Sequence, residues 1–93
     1  MICAEDLTVH LGAEICAECT WGSDIVTAAA LHFAASTPQS ALLNTCDLSS
    51  YVGPRIAPDC PTRINGRIAP PEGPGLGVTP DLNRLGAPIL ELE

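Results

Sequence analysis

The fold is decided by residues 13–46, which read AEICAECTWGSDIVTAAALHFAASTPQSALLNTC. Residues 13–19 are a short run of mixed polarity bounded by glycine, a pattern that predicts a strand. Residues 41–46 are a mostly apolar run that predicts a second, buried strand. A helical stretch lies between them, and a strand, a helix and a strand in so short a span form a βαβ unit. Such a unit implies parallel pairing of the two strands and a right-handed crossover.

Residues 23–36 supply the predicted helix. Ser23 offers an N-cap, and Asp24 lies in the first turn, where the positive end of the helix dipole favours a carboxylate. Alanine is frequent in this stretch, so the helix can pack closely against its neighbours. Thr37 is pushed out of the α region by Pro38, which ends the helix.

The chain is expected to be incomplete as a domain. Parallel sheets are covered on both faces by helices and need more strands than the two predicted here. A helix is also predicted over 2–11, ended by Gly12, but it adds no strand. We therefore assign the chain to the α/β class, with residues 1–52 as the last βαβ part of a larger sheet.

Residues 53–93 differ in composition, because proline and glycine are frequent there. Asn65-Gly66 lies between two short runs that contain apolar residues and predicts a hairpin, since both central residues of a type I′ turn need a positive φ. The prolines and glycines that follow exclude a continuing helix. This segment is predicted to be an appendage outside the core.

The charge of the chain excludes several kinds of partner. It contains four basic and eleven acidic residues and carries a net charge of −7, and all four basic residues are arginines. Nucleic acids and anionic membranes require a basic face, so neither is an expected partner. No run approaches the ~18–20 apolar residues of a membrane span, and a cytoplasmic protein is expected. Five cysteines, an odd number, favour buried reduced thiols over a disulfide framework.

Three sequence elements together carry a resemblance to a known family. Residues 18–38 read ECTWGSDIVTAAALHFAASTP and are followed by the Asn65-Gly66 pair and by GPGLGV at 73–78. Their order and spacing resemble the C-terminal end of the mandelate racemase/muconate lactonizing enzyme branch of the enolase superfamily. The resemblance covers nearly the whole chain, and within the branch it is strongest to hydroxyproline dehydratases and proline betaine epimerases.

The resemblance implies the C-terminal portion of a (β/α)7β TIM-type barrel. Residues 13–19 and 41–46 would be its seventh and eighth strands, and residues 53–93 would return to an α+β capping domain. The family removes a proton α to a carboxylate and holds the enediolate on Mg²⁺, and its substrates are small carboxylates or amino-acid derivatives. Its metal ligands and lysine bases lie on strands outside this chain, so the chain alone is expected to be catalytically silent. A homo-oligomer of the full-length protein is compatible with the resemblance.

Two carboxylates are candidate site residues. Asp47, directly after the eighth strand, matches the place where the family carries an acid that hydrogen-bonds or pairs with the substrate. The alternative for Asp47 is a solvated loop aspartate that caps a turn. Glu18, near the end of the seventh strand, resembles a family acid that faces the barrel mouth. The alternative for Glu18 is a strand carboxylate that is hydrogen-bonded for structure.

Two other interpretations of the chain stay open. Cys16 and Cys19 form a C-x-x-C pair that, with Cys46 and Cys60, would suit a small standalone zinc-binding module. A second C-x-x-C or a paired histidine, the usual companion of such a site, is missing. The chain would otherwise be a separate subunit that completes a barrel in trans.

Overall fold

The computed structural model describes residues 2–51 and 53–90, except for the side chains of Ile2 and Cys3. The prediction of a free thiol at Cys3 lies outside this description. The elements follow one another in the order helix α1 (Ile2–His10), strand β1 (Ile15–Glu18), helix α2 (Ser23–Ser36), strand β2 (Leu42–Cys46), a 3-10 helix (Leu48–Tyr51) and helix α3 (Leu82–Leu85).

The predicted βαβ unit is confirmed. β1 and β2 pair in parallel, with Cys16 opposite Asn44 and Glu18 opposite Cys46. Backbone hydrogen bonds extend the pairing to the residue before β2 and to the residue after β1, since Ile15 donates to Ala41 at 2.7 Å and Cys19 donates to Cys46 at 3.3 Å. Both strands are shorter than predicted, because residues 13, 14 and 19 lie outside β1 and residue 41 lies outside β2. Since the strands are parallel, their carboxyl ends lie at one edge of the sheet.

The start of α2 differs from the prediction, and Ser23 is not its N-cap. Gly22 occupies that position without any side-chain cap, and Ser23 itself has a φ of +67°. A side chain at position 22 would collide with Val26, so the turn into the helix requires glycine there. The end of α2 is as predicted, because Thr37 is extended and its N–H donates to the carbonyl of Phe33 at 3.1 Å.

The core lies between the sheet and α2 and consists mainly of small side chains. Ala17 and Cys19 of the β1 region and Ala28 and Leu31 of α2 are all buried, and α2 packs against both strands. The segment after residue 53 also contributes to this core. Ala57 is fully buried and Cys60 is 3% exposed, so the prediction that the whole segment is an appendage outside the core was wrong. Two side chains of alanine and cysteine size can fill the space beside the small residues of α2, and composition alone did not reveal this.

The predicted hairpin is confirmed as a single antiparallel bridge. Ile64 and Arg67 exchange backbone hydrogen bonds of 2.7 and 3.0 Å, and Asn65 and Gly66 have φ values of +51° and +76°. Positive φ at both central positions is the signature of a type I′ turn. Further along, α3 is a short helix that was not predicted; the side chain of Asp81 caps it by accepting from the Asn83 N–H at 3.1 Å.

The unpaired edges of this small sheet give the first prediction. Within residues 2–51 and 53–90, β1 and β2 pair only with each other, so each keeps one open edge. Open edges of parallel strands pair with other chains. We expect the 93-residue chain in isolation to be partly folded and prone to aggregate. Sharp, dispersed amide NMR signals together with a cooperative thermal melt would contradict this expectation.

Candidate functional site at the carboxyl ends of the strands

Polar side chains gather where β1 and β2 end. Glu18 is the last residue of β1, and Asp47 is the first residue after β2. Asp24 lies in the first turn of α2, just beyond the same edge. In α/β barrels this edge carries the active site, because the loops after the strands converge there. We therefore treat it as the candidate functional site.

Asp47 is buried and paired with an arginine from a distant part of the chain. Asp47 is 4% exposed, and its Oδ1 accepts a hydrogen bond from the Arg63 guanidinium. Arg63 also donates to the Tyr51 hydroxyl at 3.0 Å, and its guanidinium carbon lies 5.4 Å from the centre of the Tyr51 ring. The hydrogen bond to Tyr51 and then the one to Asp47 raise the pKa of Arg63. Asp47 is therefore not a solvated loop aspartate.

Asp24 forms the second buried acidic site at this edge. Its Oδ1 accepts from Arg55 Nε at 3.1 Å, and its Oδ2 accepts from the Ala57 N–H at 3.0 Å. The other end of the Arg55 guanidinium donates to the carbonyl of Cys60. The aspartate thus ties the segment after residue 53 to the start of α2. The sequence placed Asp24 at the helix dipole, but nothing in the spacing indicated the contact with Arg55.

Glu18 lies apart from Asp47, on the other face of the sheet. β1 alternates, so Ala17 is buried towards α2 while Cys16 and Glu18 are exposed on the opposite face. The Cys16 thiol donates to Asn44 Oδ1 at 2.6 Å and lies 3.8 Å from Glu18 Oε1. Desolvation and then the charge of Glu18 raise the pKa of the Cys16 thiol. Among the described residues no hydrogen bond or ion pair joins Glu18 to Asp47, so the two predicted carboxylates do not form one cluster here.

Cys19 connects the ends of the two strands. Its sulfur is fully buried and lies 3.3 Å from both the hydroxyl and the backbone N–H of Ser49, which is in the 3-10 helix after β2. Burial has the largest single effect and raises the pKa of this thiol. The combined hydrogen bonds from Ser49, Thr27 and the Trp21 N–H outweigh burial and lower the pKa below its usual value. The contact holds the loop after β2 against the end of β1.

The C-x-x-C pair does not form a metal site. Cys16 is exposed on one face of β1, whereas Cys19 is buried on the face towards α2, because residues three apart on a strand point to opposite sides. In the part of the chain that the structure describes, no three His, Cys, Asp or Glu side chains come together as metal ligands. Asp24 and Asp47 do not fit Mg²⁺ either, since each carboxylate already binds an arginine.

The fold and this edge define a mixed α/β domain with a small parallel sheet, and the comparisons identify the family. The family model described as "Enolase C-terminal domain-like" matches residues 4–84, and the chain belongs to that family. It is 44% identical over 84 residues to the cis-3-hydroxy-L-proline dehydratase of Roseibium aggregatum. None of the described helices has the length and apolar character needed to cross a membrane.

Solved structures give the same relationship. A mandelate racemase/muconate lactonizing enzyme from Roseovarius nubinhibens is 43% identical and superposes with a TM-score of 0.83 over 92% of this chain. An enolase superfamily member from the same organism is 33% identical, with a TM-score of 0.86 over 94% of this chain. The resemblance predicted from the sequence is confirmed. The chain spans 23% of the dehydratase and 23–24% of these two structures.

The buried Asp24–Arg55 pair gives a stability prediction. It is best measured in a hybrid protein in which this chain replaces the matched quarter of the R. aggregatum dehydratase, so that the strand edges can pair. Asp24→Ala leaves Arg55 and the Ala57 N–H without their partner, and we expect it to lower the free energy of unfolding by about 2–3 kcal/mol. Urea denaturation of the hybrid measures the change.

Asp81→Ala is the matched control. Its pair with Arg84 is much more exposed, at 36% and 45% of the two side chains against 10% and 33% for Asp24 and Arg55. Exposed pairs and single caps contribute about 1 kcal/mol or less. Equal losses from the two substitutions would show that the Asp24–Arg55 contact is not the stronger anchor.

Proposed function

We propose that this chain forms the seventh and eighth strands and the returning C-terminal segment of a (β/α)7β-barrel racemase, epimerase or dehydratase. The single observation that carries the proposal is the identity to a cis-3-hydroxy-L-proline dehydratase over nearly the whole chain. The parallel βαβ unit, with its polar strand ends at one edge, supports it, because barrel enzymes build their sites from that edge. Under this proposal residues 1–52 belong to the barrel and residues 53–93 run back towards a capping domain.

The proposed reaction is removal of the proton α to the carboxylate of a small amino-acid derivative, through an enediolate. A cyclic hydroxy amino acid is the substrate class that the named relative suggests. Mg²⁺ would supply charge stabilisation for the carboxylate oxygens. Its ligands, like the basic residues that move the proton, would come from strands outside this chain, because this chain contains no lysine and its buried aspartates bind arginines.

This chain would contribute two carboxylates with different roles. Glu18 lies on the sheet face opposite α2, which in a barrel is the face towards the interior, and its carboxylate would meet the substrate or the proton-transfer groups there. Asp47 would shape the same mouth from the loop after β2, as an anion whose charge is balanced by Arg63. The exposed polar neighbours Cys16 and Asn44 would line the interior beside Glu18.

The hybrid protein tests this function. If the proposal is correct, the hybrid dehydrates cis-3-hydroxy-L-proline when Mg²⁺ is present, whereas the 93-residue chain alone has no activity. Glu18→Gln removes the charge with little change in shape, and we expect it to lower kcat/KM of the hybrid by about 10²-fold, the range of one acid–base group.

Glu14→Gln is the control, since Glu14 is an exposed carboxylate that precedes β1, at the other end of the strand. It should leave the rate unchanged. A hybrid that folds but turns over neither this substrate nor other α-proton carboxylates would contradict the proposed function. Equal effects of the two substitutions would remove Glu18 from the site.

A further inference from the structure

We propose that Arg63 is a positioning residue that holds the 3-10 helix after β2 in its place at the mouth of the site. This inference rests on the proposed function for its kinetic consequence and on the contacts of Arg63 for its physical basis. It assigns a role at the strand ends to the segment after residue 53, from which no sequence pattern predicted a contribution to the site.

The 3-10 helix is not held by burial. It contains no buried residue, and Tyr51 is 66% exposed. A cavity of about 140 Å³ lies beside it and is lined by residues that include Ser49, Ser50 and Thr27. Segments without a packed face open locally at low free-energy cost. Polar contacts must therefore supply most of the order of this loop.

Arg63 reaches both ends of the 3-10 helix. It pairs with Asp47, just before the helix, and donates to the hydroxyls of Ser50 at 3.5 Å and Tyr51 at 3.0 Å. A planar guanidinium has several N–H donors in fixed directions, so one side chain can fix three partners at once. Asp47 is buried, whereas the Arg63 side chain is 37% exposed, so solvent screens their pairing in part.

The position of Arg63 is itself fixed on both sides. The hairpin turn at Asn65-Gly66 follows it directly and restrains the backbone. Before it, Arg55 and Ala57 are bound to Asp24 at the start of α2. The segment is thus attached at two points of the same sheet edge, to Asp24 after β1 and to Asp47 after β2. Because this segment is held in place, Arg63 can hold the 3-10 helix in one position.

The test compares Arg63→Met with Arg67→Ala in the hybrid enzyme. Arg67 lies in the same hairpin, is exposed, and its guanidinium donates no hydrogen bond to the residues that the structure describes. Arg63→Met should lower kcat by about 10–100-fold with KM changed less than threefold, since small displacements of a site loop cost rate more than binding. Arg63→Lys should recover part of the lost kcat, because lysine keeps the positive charge but not the planar arrangement of N–H donors. Arg67→Ala should have neither effect.

A double substitution separates positioning from general damage. Asp47→Asn with Arg63→Met leaves no unpaired buried charge, so the double variant should be more active than Arg63→Met alone. A folded Arg63→Met hybrid with wild-type kcat would overturn the proposal. So would a double variant whose loss of kcat equals the product of the losses in Asp47→Asn and in Arg63→Met alone. Either result would leave the proposed function intact.

Hydrogen exchange gives a readout that does not depend on activity. In a folded hybrid, the amides of residues 48–51 should exchange at least tenfold faster in Arg63→Met than in the parent, and Arg67→Ala should match the parent. If the parent hybrid is folded but inactive, the proposed function fails while exchange still decides the role of Arg63. Unchanged exchange at residues 48–51 would overturn that role.

Discussion

Parallel pairing of β1 and β2 is the constraint on which the rest of this structure depends. Two parallel strands require a crossover, which α2 supplies, and they place both carboxyl ends at one edge. That edge then brings Cys19 within 3.3 Å of Ser49 although the two residues are 30 positions apart in sequence. Antiparallel strands would have sent the loops that carry Asp24 and Asp47 to opposite ends of the sheet. These polar residues lie at one edge only because the two strands are parallel.

The apolar core is too small in its side chains to order the loops by itself. Among the described residues, its buried apolar members are alanines and cysteines together with Leu31, and alanine and cysteine bury little area compared with a large aliphatic or aromatic residue. The loops at the carboxyl edge are instead held by hydrogen bonds to Asp24, Asp47 and the Cys19 sulfur. In each ion pair a buried aspartate binds a partly exposed arginine, and such pairs contribute little net stability, since desolvation offsets most of the attraction. The small core therefore explains why the order of the loops at the carboxyl edge depends on specific polar contacts.

The elements of the fold that depend on local pattern were predictable, and the long-range contacts were not. The Ala-rich run before Thr37-Pro38 and the Asn65-Gly66 turn each have a mechanism confined to neighbouring residues, and both predictions are confirmed. Ser23 is an ordinary capping residue by type, but the helix begins at Ser23 itself and Gly22 is the N-cap. The partners of Asp24 and Asp47 lie 31 and 16 residues further along the chain, at arginines whose local sequence has no pairing signal. Glu18 and Asp47 could be placed at strand ends from the sequence, whereas the face to which each points depends on the register.

The distribution of charge explains why the segment after residue 53 folds back onto this edge. All four arginines lie after residue 53, whereas residues 1–52 contain acidic side chains and neither lysine nor arginine. The ion pairs of the described residues all use arginines of the later segment, and two of the three reach back to aspartates of the earlier part. Two arginines of the later segment thus bind at an acidic sheet edge, and their partners there are the buried Asp24 and Asp47. The arginines of the later segment and the aspartates at the strand ends together hold the loops of this edge in place.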